Sequence, residues 1–178
     1  MGRKLSLSAL VLALSVMPSS VAAEAQERVA CTQPVVESAR VVWVTDGDTI
    51  TVKMGERKEK VRLVGIDTPE IHDERQPWRD QAYAASTYLR EQLKGRTVTL
   101  EGDTIQRDRD EYGRLLRFVF VDGRNVNLEL VRLGYAKVYR RFEFHWKAEF
   151  LEAEAEASAN KLGVWTLPPG KDRVTPPR

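Results

Sequence analysis

A chain of 178 residues, 42% of them apolar, can bury one hydrophobic core, which excludes a large multidomain assembly. It carries 28 basic and 26 acidic residues, and two of the basic ones, Arg3 and Lys4, fall in an N-terminal leader, leaving 26 against 26. Bulk charge therefore gives no pull toward nucleic acid, and any phosphate-gripping surface must come from local clusters of arginine.

The leader reads as a secretory signal. Arg3 and Lys4 precede the uncharged apolar run of residues 5–17, and small residues follow, ending in Val21-Ala22-Ala23. That run is too short to span a bilayer, so cleavage before Glu24 is expected, with the mature protein periplasmic or secreted. Cys31 is the only cysteine and cannot make an intramolecular disulfide. Val29-Ala30-Cys31 faintly resembles a lipobox, but Arg28 stands where a leucine is wanted and Glu24 and Glu27 separate it from the apolar run.

Residues 24–38 are polar and aperiodic and are expected to be a flexible lead-in to a domain over 39–166. From Ala39 the pattern becomes β-like: Val41 and Trp43, a break at Asp46-Gly47, then Ile50 and Val52. Met54-Gly55-Glu56 marks a turn, and the next strand, residues 61–66, runs into Asp67-Thr68-Pro69-Glu70, where proline stops it. A helix is expected over 78–93, with Ala82, Ala85, Leu89 and Leu93 on one face and Gly95 at its stop. Strands follow at 97–102 and 115–121, the second turning at Asp122-Gly123. A short helix carries Val126, Leu130 and Leu133 and stops at Gly134; residues 135–139 read as a strand. The last helix runs over 145–161 and is stopped by Gly163, and the proline-rich tail, 167–178, is expected to be disordered. Five short strands interrupted by helices imply a mainly β, α+β fold: a small, partly open five-stranded barrel of the oligonucleotide/oligosaccharide-binding kind. Strand count alone leaves a sandwich open. There is no internal repeat and no transmembrane segment.

The suggestive chemistry falls in three stretches. Asp46-Gly47-Asp48-Thr49 taken alone is a hairpin turn. In the second, alternation puts Arg62, Val64 and Ile66 on one side of an apolar strand, so Arg62 needs an anionic partner or a cleft; Asp67 and Glu70 follow at the strand's exit, a costly place for carboxylates unless solvated, paired or metal-bound. In the third, residues 107–114, a charge run is usually a solvated loop, but Arg114 stands directly before a strand and can aim from a barrel rim.

Together, in this order and at this spacing, the three stretches resemble the thermonuclease (staphylococcal nuclease-like) family. The likeness runs from about Val41 to Trp165 and takes in residues 127–138 and the closing Lys161-Leu162-Gly163-Val164-Trp165. It implies an oligonucleotide-binding barrel with three helices that hydrolyses phosphodiester bonds in DNA and RNA, preferentially single-stranded, with calcium and little sequence preference, leaving 3′-phosphate ends. It also implies that Asp48, Asp67 and the Thr68 carbonyl hold calcium, that Asp46 is an outer acid, that Glu70 is the general base, and that Arg62 and Arg114 grip the scissile phosphate. Oxygen-only ligation suits a hard cation. Zinc is hard to support with one cysteine and two distant histidines, His72 and His145. Tyr112 and Tyr139 are the candidate substrate-contacting aromatics. Where the family has a lysine before the tyrosine matching Tyr112, this chain has Glu111, which should weaken a terminal-phosphate contact unless Arg107 or Arg109 replaces it. The expectation is a monomeric enzyme. The rivals are a catalytically silent binding module on the same barrel, which would have lost these acids and arginines, and an envelope protein anchored through Cys31.

Overall fold

The computed structural model describes residues 33–168; the leader, Cys31 and all but the start of the expected tail lie outside the described residues. β-Branched residues in alternation lay down strands β1 (Val36–Val44), β2 (Thr49–Met54) and β3 (Arg57–Leu63), which pair antiparallel in sequence order. β1 begins inside the stretch expected to be a lead-in, because Val36, Glu37 and Ser38 are held in register with Glu101, Leu100 and Thr99. A turn through Gly65 leads to the two-residue β4 (Ile66–Asp67), and α1 (Gln76–Leu93) follows with Pro77 in its first turn. Then come β5 (Thr97–Glu101), β6 (Leu115–Val121), β7 (Arg124–Asn125), α2 (Val126–Arg132), β8 (Lys137–Val138) and α3 (Lys147–Ala159), with a last 3-10 turn at Gly163–Thr166.

The main sheet runs β3-β2-β1-β5-β6-β7, and a parallel pairing of β3 with β6 closes it. Val61 lies opposite Leu115 and Arg62 opposite Leu116. The five long strands thus form a closed barrel carrying three helices, the α+β architecture the sequence pattern implies, and closure excludes the sandwich. Closure has a direct consequence for chemistry. It sets the end of β3 beside the start of β6, which places Arg62 and Arg114 at the same end of the barrel.

Val41, Ile50, Val52, Val61, Leu63, Val98 and Leu100 are all buried in the core. The expected face of α1, Ala82, Ala85, Leu89 and Leu93, is buried as well. Phe144 and Phe150 meet edge-on at 5.2 Å, with Phe118 at 6.3 and 6.1 Å from them, and close the core beneath α3. Asn127 is fully buried on α2 and uses its whole amide. Its Nδ2 donates to the carbonyls of Val64 and Arg117, at 3.0 and 3.1 Å, and its Oδ1 accepts from the Val119 amide at 3.0 Å. One side chain therefore ties α2 to β6 and to the chain leaving β3. Gly134 and Gly163 touch each other: both have positive φ, and a Cβ on Gly163 would lie 2.2 Å from the Gly134 carbonyl oxygen.

Three local expectations are corrected. The strand expected at 61–66 ends at Leu63, because Gly65 turns the chain; Val64 and Ile66 are buried while Arg62 is half-buried at the barrel end, so alternation fails across the turn. The strand expected at 135–139 shrinks to β8, paired only with β4. The helix expected over 145–161 is the shorter α3, and Gly163 opens a separate 3-10 turn rather than stopping the helix.

Candidate active site

The turn between β1 and β2 is built on its acids. The Asp48 amide donates to Asp46 Oδ1 at 3.1 Å, and the Thr45 amide to the Thr49 carbonyl at 2.9 Å. Gly47 is required by closeness rather than by φ: a Cβ there would lie 2.8 Å from Ala85 Cβ on α1 and 2.9 Å from Thr68 Oγ1. The turn is therefore pressed against both α1 and the segment after β4, which brings Asp48 to Thr68.

Asp48 is the hub. It is 9% exposed, and its Oδ2 accepts from Arg62 Nη2 at 2.9 Å and from Thr68 Oγ1 at 3.2 Å. Its Oδ1 accepts from Thr49 Oγ1 at 2.9 Å, and Arg114 Nη1 reaches the same Thr49 hydroxyl at 3.4 Å. Arg62, Asp48, Thr49, Thr68 and Arg114 thus form one connected cluster drawn from all three stretches singled out in the sequence. Arg62 is oriented by the carbonyls of Leu63 at 2.7 Å and Ile66 at 2.9 Å. Arg114 is oriented by Asp110, whose carboxylate accepts from its Nε at 2.7 Å and from its amide at 2.9 Å. Both guanidinium groups are thereby held as aimed forks rather than swinging chains.

Burial, and after it the neighbouring Asp48 carboxylate, pushes the Asp46 carboxyl up to about 6, against the pull of a hydrogen bond from the Asp48 amide and of Arg62. Two aspartates this close repel when both are ionised. Among the described residues no three His, Cys, Asp or Glu side chains converge on one point. The donors present are nonetheless all oxygens: two crowded carboxylates and the Thr68 segment. That set fits a hard cation, which would relieve the Asp46–Asp48 repulsion and complete its shell with water and phosphate oxygens.

The structure places the remaining expected residues on neighbouring segments. Asp67 is exposed on β4, in register with Lys137 on β8. Glu70 is exposed beyond Pro69, and its carbonyl accepts from the Asp73 amide at 3.0 Å. Tyr112 is 69% exposed, with the Arg114 guanidinium 5.2 Å from its ring centre. Tyr139 is half-buried, and its ring packs 5.7 Å from that of exposed Phe142.

Two residues of the cluster escape a reading of the sequence. Thr49 bridges acid and arginine but looks like an ordinary strand residue; Asp110 holds Arg114 but is camouflaged in a charge run, its one signal being the i, i+4 spacing. Arg109 does not replace the missing lysine, since it is bound to Glu59 at 2.9 Å and to the Gly113 carbonyl at 2.7 Å. That hydrogen bond holds the Glu59 carboxyl below its ordinary value. The cation lining the cleft with Tyr112 and Arg114 is Lys60.

Comparison with known proteins identifies a family. Residues 60–167 match the family model described as staphylococcal nuclease homologue, a span that contains Arg62, Asp67, Glu70 and Arg114. A thermonuclease of Staphylococcus intermedius is 34% identical over 131 residues, covering 72% of this chain and 76% of its own length. The endonuclease YncB of Bacillus subtilis is 37% identical over 123 residues, covering 68% of this chain and 58% of its own length. An uncharacterized protein of Methanocaldococcus jannaschii is 36% identical over 146 residues, covering 71% and 70%.

Proposed function

The chain belongs to the staphylococcal nuclease homologue family, and from that premise we propose that it is a calcium-dependent endonuclease that cleaves DNA and RNA with little sequence preference and leaves 3′-phosphate ends. The observation that carries this reading is the connected cluster Arg62–Asp48–Thr49–Arg114, with two aimed guanidinium forks beside a crowded acid pair. A silent binding module on this barrel would be expected to have lost these acids and arginines.

In this reading Asp48, Asp67 and the Thr68 carbonyl hold calcium, and what the bound ion supplies is neutralisation of charge at the phosphate oxygens. Glu70 takes a proton from water as the water oxygen bonds to phosphorus, the bond from phosphorus to the 5′ oxygen breaks, and that oxygen takes a proton from solvent to leave as a hydroxyl. Arg62 and Arg114 meet the equatorial oxygens, on which charge builds during attack; planar forks match that developing geometry better than point charges do. Thr49 and Asp110 keep the forks in place. Unpaired strands suit the exposed Tyr112 and the half-buried Tyr139, and the enzyme acts as a monomer.

Release of acid-soluble nucleotides from denatured DNA tests the proposal. Calcium should support release and excess chelator should abolish it. Full activity in chelator, or no release under either condition, would refute the reading. We also propose export, with residues 1–23 removed. Intact mass should place the mature N-terminus at Glu24, and a cell-derived protein that keeps Met1 or carries lipid on Cys31 would refute it.

A further inference from the structure

The outer face of β1, β2 and β3 carries charge and an aromatic ring that the cluster above does not use. Cross-strand partners share a face, so the ladder register lays out transverse rows. Thr49 and Arg62 form the row at the candidate active site. The next row is Trp43, Thr51 and Lys60, and the one beyond it is Arg40, Lys53 and Lys58. Rows two residues apart are separated by about 7 Å, so the outermost row lies about 14 Å from Arg62. Arg40, Lys53, Lys58 and Lys60 are all exposed. Glu56, at the hairpin tip, pairs with Lys53 at 3.5 Å, while Glu59 belongs to the opposite parity of β3 and is taken by Arg109. The cations are therefore gathered on one strip that runs straight into the cleft lined by Lys60, Tyr112 and Arg114.

Trp43 is placed on this strip by a backbone irregularity. The register of β1 on β2 shifts between Val41 and Trp43, which makes Val42 the extra residue of a β-bulge. Strict alternation after buried Val41 would turn the indole of Trp43 inward; the bulge turns it out beside Thr51 and Lys60, where it is 58% exposed.

We propose that this strip is a track for a single strand of nucleic acid leading away from the scissile bond. Arg40, Lys53, Lys58 and Lys60 hold successive backbone phosphates, and Trp43 stacks an unpaired base. A duplex keeps its bases paired and offers Trp43 no face. The track rests on the nuclease reading above and deepens it: the preferred substrates are long unpaired strands, for which the enzyme binds well beyond the bond it cuts.

Two variants test this, the triple Arg40→Gln/Lys53→Gln/Lys58→Gln and the single Trp43→Ala, none of them in the catalytic cluster. Binding of a long oligothymidylate in chelator avoids cleavage. The triple variant should lose affinity, and its slope of log affinity against log salt should be shallower by about 2, as expected for three lost contacts to a single strand. Trp43→Ala should bind about 10-fold more weakly with its salt slope unchanged. With calcium, KM for the long strand should rise in both variants, while kcat and the cleavage of a trinucleotide stay at the wild-type values. Wild-type affinity and slope in the triple variant would overturn the track, as would an equal loss on the trinucleotide, or binding to anionic lipid vesicles without binding to oligothymidylate. A wild-type protein that binds the strand with the steep slope but cleaves nothing would support the track and defeat the nuclease reading.

Discussion

Arg114 and Arg117 stand three residues apart at the start of the same strand and lead opposite lives. Arg117 is 2% exposed, and both its terminal nitrogens are enclosed: Nη2 meets Asp108 Oδ1 at 2.7 Å and Glu37 Oε2 at 3.1 Å, and Nη1 donates to the Leu116 carbonyl at 2.9 Å, while its buried Nε has no partner among the described residues. It clamps the charged loop after β5 to the beginning of β1. Arg114 is held from behind by Asp110, lies beside exposed Tyr112 and reaches the cluster around Asp48 only through a long contact to Thr49. Arginine in a strand thus says little by itself. What separates the two is access: Arg114 is oriented from behind with its side chain still 26% exposed, whereas Arg117 is sealed among acids and carbonyls at 2%.

The largest effect expected at the open cluster comes from Asp48→Asn. The amide keeps the shape, turns one of the two accepting oxygens into a donor, and removes the charge that faces Arg62 and the proposed cation. Turnover should fall by more than the ~10–100-fold typical of losing an outer partner of a metal ligand, with the thermal midpoint nearly unchanged. Asp108→Asn, at the closed cluster, should do the reverse. If Asp48→Asn unfolded the protein and left turnover per folded molecule intact, the two clusters would have been assigned the wrong way round.

A second effect is a pH dependence confined to the open cluster. Burial and the Asp48 carboxylate push Asp46 up to about 6 in the folded protein, while an unfolded aspartate titrates near ~4. The folded state therefore binds that proton more tightly, so in chelator this group adds stability as pH falls from about 6 to about 4. For a part-exposed group the gain is on the order of 1 kcal/mol after screening. Asp46→Asn cannot titrate, so the difference in thermal midpoint between it and the wild type should change across that window and flatten when calcium is added. A constant difference would contradict the crowded-acid account.

The smallest effect expected is at Glu111. It directly precedes Tyr112, which lines the cleft with Lys60 and Arg114. Glu111→Lys should raise preference for short substrates bearing a terminal phosphate by a few-fold, of the order of one exposed ion pair. Identical preference in both proteins would contradict any part for position 111 in holding a terminal phosphate.

Much of the barrel was legible because apolar alternation and turn residues are local signals, and the buried face of α1 follows from the spacing of Ala82, Ala85, Leu89 and Leu93 alone. The three chemical stretches were legible as stretches, but not their convergence. That depends on closure of β3 onto β6 and on the fit of Gly47 against Ala85 and Thr68, both long-range facts. The bulge at Val42 was invisible for the same reason, since only the partner strand reveals an extra residue. Arg117 was hidden because a charged residue in an apolar strand looks alike whether it faces a cleft or a ring of acids. Asp67 and Glu70 were named by resemblance, and they stand at the exposed margin of the cluster rather than at its hub.

The most direct measurement sets three variants side by side: Arg62→Lys, Arg114→Lys and Arg117→Lys, each assayed for kcat, for affinity to uncleaved DNA in chelator and for thermal midpoint on one preparation. Lysine keeps the charge and loses the fork, so at Arg62 and Arg114 kcat should fall by at least ~100-fold, the scale of one preorganised donor, while affinity changes far less. Arg117→Lys should leave kcat per folded molecule intact and lose roughly 1–3 kcal/mol of stability, as a buried hydrogen-bonded site left partly unmade does. If Arg62→Lys and Arg114→Lys instead keep their rate and lose their midpoint, both are scaffold residues and the phosphate clamp is refuted.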